Sequence, residues 1–223
     1  MAEPRDPDVT EYNPLDYANL TASLVRELMH RGPYGLPVSR RIAGAGVYAL
    51  FYQGDFVPYA RIKSLDSSQP IYVGKAVPRG ARKGRTRGQA STATELYSRL
   101  NQHARSIEAT GNLRLSDFTC RFLVVTPLWI TMAERFLIEN FQPVWNVWLE
   151  GFGIHDPGSG RHAGEVSWWD ALHPGREFAL RLRSTRSEAD ARAWLAEFFR
   201  RKASDPESIR RQAREIAESQ SPE

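Results

Sequence analysis

Six polar side chains spread through the middle of this 223-residue chain could together cut a phosphodiester. They are Tyr48 in Gly46-Val47-Tyr48, Tyr72 in Tyr72-Val73-Gly74, Arg99, His103, Glu134 and Asn146. Such hydrolysis needs a water deprotonated near phosphorus, a cation to offset charge on the phosphate oxygens, and a group that stabilises the leaving oxygen. Arg99 and His103 stand at i and i+4, so on a helix they project from one face, the first suited to phosphate and the second to a proton. Glu134 offers a hard carboxylate oxygen that could ligate Mg²⁺ and leave the other positions to water and phosphate. Each residue alone also has a bland reading. Arg99 and His103 fit a solvated helix face, Glu134 a first helical turn, the tyrosines strand packing, and Asn146 either a cap after a helix or a hydrogen bond to a site neighbour.

The elements that must carry these residues can be read from periodicity. An amphipathic helix is predicted from Asn13, with Leu15, Leu20, Leu24, Val25 and Leu28 on its apolar face and Pro33 beyond its end. Residues 44–52 and 70–74 are β-branched and aromatic and read as strands joined by an irregular connection. A helix at 95–109, a strand at 118–125 and a helix at 131–141 follow, the last stopped by Pro143. Beyond them, 149–164 reads as a loop, 177–183 as a strand, and 187–202 as a helix begun by Ser187 with Glu188 in its first turn. A weakly apolar helix or a disordered tail is expected over 206–217, and the first dozen residues read as a loose lead-in.

Composition narrows the class. No apolar run approaches the length of a membrane-spanning helix, and the polar start Met1-Ala2-Glu3-Pro4 has no targeting signature, so a cytoplasmic protein without a membrane role is expected. Cys120 is the only cysteine, which excludes an intrachain disulfide and a thiolate metal cluster, and its apolar surroundings suggest core packing. The net charge is +4, and 26 of the 30 basic residues are Arg, whose fork fits phosphate and guanine edges; a GC-rich genome would give the same bias. Charge location is more telling. Lys75, Arg79, Arg82, Lys83, Arg85 and Arg87 lie among glycines in a stretch, 75–94, that has no acidic residue.

Taken in order, the six residues resemble the GIY-YIG nuclease superfamily. Its pattern is a Gly-Ile-Tyr-like strand, a Tyr-Ile-Gly-like strand, an Arg-bearing helix, a Glu-bearing helix, and an Asn after a Pro. The stretch Glu-Arg-Phe-Leu-Ile-Glu-Asn-Phe-Gln-Pro-Val-Trp-Asn at 134–146 carries the match to the last part and selects Glu134 over Glu139 as metal ligand. Val replaces Ile in both tripeptides, which keeps shape and apolarity, and the basic stretch lengthens the gap before the first core helix.

The resemblance implies an α+β fold, a small mixed or antiparallel three-stranded GIY-YIG sheet flanked by helices with added N- and C-terminal elements. In it Tyr48 would activate or position the attacking water and Tyr72 support its hydrogen bonds. Arg99 would bind the scissile phosphate, His103 accept the proton, Glu134 hold one Mg²⁺ (Mn²⁺ substituting), and Asn146 brace the site. We expect one domain over 1–223, with the catalytic core at 44–146, the inserted basic loop at 75–94, and extensions at 1–43 and 147–223 for specificity or dimerisation. Besides the loop cations, His155 and Arg161 are candidates to touch DNA next to the cut. His155, Asp156 and His162 match no standard zinc spacing.

The chain looks like the type II restriction branch of that superfamily, which implies a double-strand DNA endonuclease cutting a short GC-rich palindrome. One site cutting two antiparallel strands implies a two-fold homodimer, joined through the N-terminal helix or the Trp194, Leu195, Phe198, Phe199 face unless those pack on their own core. The alternatives are a repair or mobile-element nuclease and a non-catalytic DNA-binding protein.

Overall fold

The computed structural model describes residues 12–78, 94–154 and 164–219. Its centre is an antiparallel sheet in the order β1-β4-β2-β3, built from β1 (Tyr34–Gly35), β2 (Gly46–Tyr52), β3 (Tyr72–Ala76) and β4 (Phe118–Val124). The middle strand β2 is buried along its whole length, as its unbroken apolar run requires of a strand covered on both faces. Three of these strands are those expected from sequence. The fourth, β1, is two residues lying between Pro33 and Pro37, too short to show any alternation.

Register fixes what shares a face. Tyr48 is opposite Gly74 and Leu50 opposite Tyr72, so the two tyrosines project from one face, while Val73 and Lys75 belong to the other. Helix α2 (Glu95–Glu108) covers the tyrosine face and places His103 against Tyr48. Helices α1 (Tyr17–His30) and α3 (Pro127–Phe141) lie across the opposite face, joined by the Tyr17 hydroxyl donating to Glu139. Arg121 of β4 anchors the end of α1 by donating to the Met29 and Arg31 carbonyls, each at 2.7 Å.

After α3 the chain turns through Gln142 in a left-handed conformation into the short helix α4 (Val144–Val147). Then come α5 (Trp168–Leu172), α6 (Glu188–Ser204) and α7 (Pro206–Ser219). Ser187 and Asp190 form a reciprocal capping box at the start of α6, so the helix begins where the sequence signals it. The final helix forms because Ile209, Ala213 and Ala217 give it a narrow stripe that docks on the core.

Several expectations need correction. Residues 177–183 form a 3₁₀ turn, Ala179–Arg181, with a single bridge from Arg183 to Glu165 rather than a strand. The run Glu-Phe-Ala-Leu-Arg-Leu-Arg holds only one strong β-former, Phe178, which gives a strand little intrinsic support. Helix α3 starts at Pro127 instead of residue 131, because proline is well tolerated in a first turn. Of the two candidate dimer faces, the first has Leu28 of α1 fully buried and Leu15 74% exposed, and in the second Leu195 and Phe198 are buried while Trp194 stacks between Trp148 and Trp168. Cys120 is core, as expected, its thiol pushed up to about 12 by burial. Among the described residues no helix is long and apolar enough to cross a membrane.

Candidate active site

A cleft of about 930 Å³ opens beside β3, and Tyr72, Lys75, Arg99, Glu134 and Asn146 are part of its wall. Tyr48 and His103 lie directly behind that wall, each with no exposed surface. All six candidate residues therefore meet at one edge strand.

Asn146 and Glu134 are held there by the strand's own backbone. An edge strand presents N–H and C=O groups that need partners. The Asn146 side chain accepts from the Val73 N–H and donates to the Val73 carbonyl, both at 2.8 Å. One step on, the backbone N–H of Lys75 donates to the Glu134 carboxylate, and the Lys75 ammonium pairs with it at 2.6 Å. Glu134 is only 6% exposed and stands past the first turn of α3, so stabilisation of a helix start does not explain it. Burial raises its pKa, against the opposing pull of Lys75 and Arg99. Glu139, the other glutamate of the match, is engaged by Tyr17 and Arg135 and takes no part in the cleft.

The phenols form a layer inside the wall. The Tyr48 hydroxyl and Nε2 of His103 are 2.6 Å apart. Tyr72 is within hydrogen-bonding reach of Tyr48, and Arg99 within reach of both. Burial pushes the Tyr72 phenol up to about 12, with Arg99 pulling it down, and pushes Tyr48 well above its ordinary value. Both are neutral phenols at physiological pH. Of the two, Tyr72 borders the cleft and Tyr48 lies one layer deeper, next to His103. Gly74 makes this packing possible, since a Cβ there would overlap the Tyr48 hydroxyl. Arg99 donates to Gln102 at 3.0 Å and to the Gly153 carbonyl at 3.3 Å, which turns its guanidinium along the cleft.

Lys75 needs a second correction. It belongs to β3 and not to a loop, and its ammonium sits on the Glu134 carboxylate. The tripeptide-plus-lysine run Tyr72-Val73-Gly74-Lys75 signals it, because alternation puts Lys75 on the Val73 side of the strand. Arg79, Arg82, Lys83, Arg85, Arg87, His155 and Arg161 lie outside the described residues, as do Asp156 and His162. Sequence reasoning also missed Gly153 and Arg176. A Cβ on Gly153 would come 2.8 Å from the Tyr72 hydroxyl, and Arg176 fixes the turn that carries it. Gly151, in the same turn, has a φ of +119°.

The donor set suits one hard cation. Among the described residues no three His, Cys, Asp or Glu side chains come together as a metal cage. A lone buried carboxylate on the wall of an open cleft offers one oxygen donor to an ion whose remaining ligands are water and phosphate, and such an ion would take the place the Lys75 ammonium holds on it. It does not fit a closed zinc site.

Residues 40–197, more than half of the chain, match the family model described as the Eco29kI GIY-YIG domain. No curated protein matches the chain.

Proposed function

The chain belongs to the Eco29kI GIY-YIG family, a family of type II restriction endonucleases, and from that premise we propose that it is a site-specific double-strand DNA endonuclease using one Mg²⁺ per active site. GIY-YIG nucleases generally use divalent metal ions. Glu134 would hold the cation, with Mn²⁺ able to substitute, and the bound ion would offset charge on the scissile phosphate.

The observation that carries the reading is the Tyr48–His103 hydrogen bond behind a wall made by Tyr72, Arg99 and Glu134. Arg99 binds and orients the phosphate through its fixed fork. The attacking water rests against the Tyr72 hydroxyl, the phenol that borders the cleft. Neither phenol is acidic enough to serve as a pre-formed phenolate, so the proton must move in concert. As the water oxygen bonds to phosphorus and the bond to the leaving oxygen breaks, the water proton passes to Tyr72, Tyr72 gives its own to Tyr48 and Tyr48 gives its own to His103 Nε2, while the leaving oxygen departs as an oxyanion and takes a proton from solvent in the open cleft. This requires His103 to start neutral, with its proton on Nδ1. Asn146 binds no substrate; it keeps β3 in register beneath Tyr72 and Lys75.

Arg79, Arg82, Lys83, Arg85 and Arg87, with His155 and Arg161, would contact the DNA. What supports this is a run of cations without acids directly following β3. A homodimer follows from the need to cut two antiparallel strands with one site per chain, and the resemblance to the type II restriction branch implies a short GC-rich palindrome. The decisive experiment is to incubate the purified protein with Mg²⁺ and a plasmid of known sequence and read the fragment ends. Discrete fragments sharing one short sequence are expected. Random nicking, or cutting at branched structures only, would favour a repair or mobile-element nuclease, and no cutting with tight binding a non-catalytic DNA-binding protein.

A further inference from the structure

Just past Asn146 the chain makes a turn at 151–154 that has no ladder or helix to satisfy its carbonyls. Arg176 satisfies them. Its guanidinium donates to the carbonyls of Gly151 at 2.9 Å, Phe152 at 3.3 Å and Ile154 at 2.8 Å, and to both carboxylate oxygens of Asp170 at 2.6 and 2.7 Å. All of the side chain's N–H donors are thereby engaged. The group is buried between Trp169 and Phe178, 4.6 and 4.7 Å from the ring centres. Ser167, which caps α5, donates to Asp170 at 2.7 Å, and a Cβ on Gly151 would overlap that same serine.

The turn touches three of the six site residues. The Phe152 ring stacks on His103 with centroids 4.5 Å apart and planes 20° apart, and meets Tyr72 edge-on at 4.9 Å. The Gly153 carbonyl receives the Arg99 bond. A buried ion pair is costly to desolvate and apolar residues often replace it without loss of stability. What apolar residues cannot supply is a rigid fork holding three carbonyls of one turn.

We propose that the Arg176–Asp170 pair is a positioning device of the active site, which fixes the 151–154 turn and through it sets the Phe152 ring against His103 and the Gly153 carbonyl against Arg99. This rests on the nuclease reading given above. Arg176 touches no substrate; it acts through the turn.

Arg176→Lys keeps the charge but cannot reach Asp170 and three carbonyls at once, and Phe152→Leu removes the stacking alone. Single-turnover cleavage by each should slow about 10- to 100-fold, with DNA affinity in Ca²⁺ unchanged within about threefold, because small misplacements of reacting groups cost rate before binding. The double variant should be no slower than the slower single one, as expected for one shared path. The His103 ring resonances, identified by their absence in His103→Gln, should move in Arg176→Lys as the stacked ring shifts. Wild-type cleavage rates in both single variants, or unmoved His103 resonances in folded Arg176→Lys, would overturn the proposal. Should Arg176→Lys not fold, the near-isosteric Asp170→Asn is read by the same criteria. A wild-type chain that cuts no DNA would defeat the nuclease reading, and the His103 resonances would still decide the positioning role.

Discussion

The Tyr48 hydroxyl and Nε2 of His103 lie 2.6 Å apart, both sealed from solvent, one layer behind a cleft that Tyr72 and Arg99 line. A phenol and an imidazole so placed can exchange a proton with each other more readily than with water, so in the proposed reaction they act as one unit. Tyr48→Phe and His103→Gln should each reduce single-turnover DNA cleavage by about 10²- to 10⁴-fold, the usual worth of a positioned acid or base. Their double variant should lose little more than either alone. Additive losses in a quench-flow comparison would show that the two act separately.

Glu134→Gln and Arg99→Ala should abolish cleavage while leaving specific DNA binding largely intact. Gel-shift assays in Ca²⁺ beside digests in Mg²⁺ separate the two properties. Cutting retained by either variant would remove it from the chemistry.

Acid should switch the enzyme off earlier than an ordinary carboxylate would allow. Burial raises Glu134 above the usual 4.5, so the carboxylate that pairs with Lys75 is lost at a correspondingly higher pH. The stability linkage has the opposite sense. A group whose folded pKa is raised contributes stability below its unfolded pKa and loses it as pH rises through the folded value. At neutral pH the ionised Glu134 is thus a burden, and Glu134→Gln should melt no lower than the wild type there while being inactive. Thermal melts from pH 4 to 8 check this, and a markedly lower neutral melting temperature for the variant would contradict it.

Gly74→Ala should destabilise the chain by about 1–3 kcal/mol, the typical cost of forcing extra volume into packed surroundings. The added methyl overlaps the Tyr48 hydroxyl, so cleavage should fall further than the loss of folded protein explains. Comparison of rates per folded molecule, with folding followed by circular dichroism, makes the distinction.

Asn146→Ala leaves the buried N–H and C=O of Val73 unpaired, at about 1–3 kcal/mol each. At roughly 2–4 °C per kcal/mol for a chain of this size, calorimetry should show a clear drop in melting temperature. Unchanged stability with lost activity would instead give Asn146 a direct part in the reaction.

Much of this was legible in the sequence because local signals agreed. The apolar runs of β2 and β3, the 3.6-residue stripes of α2 and α3, and the Ser187 cap each follow from short-range sterics and hydrogen bonding. The order of Tyr48, Tyr72, Arg99, His103, Glu134 and Asn146 pointed to a common site. The strand expected at 177–183 became a 3₁₀ turn: of Glu-Phe-Ala-Leu-Arg-Leu-Arg only Phe178 is a strong β-former, so alternation alone was a weak signal. Likewise the Trp194, Leu195, Phe198 stripe announced a buried face without saying what buries it.

The sequence by itself determined the strands β2, β3 and β4, the helices α1, α2, α3 and α6, and the residue types able to cut a phosphodiester. Only the tertiary structure decided that Tyr72 lines the cleft while Tyr48 and His103 stand behind it, that Lys75 balances Glu134, and that Arg176 reaches back to hold the turn beside them. Periodicity fixes which face of an element is apolar. Pairs such as Arg176 with Gly151, or Asn146 with Val73, depend on how distant elements pack against one another, and no local pattern of residues encodes that distance.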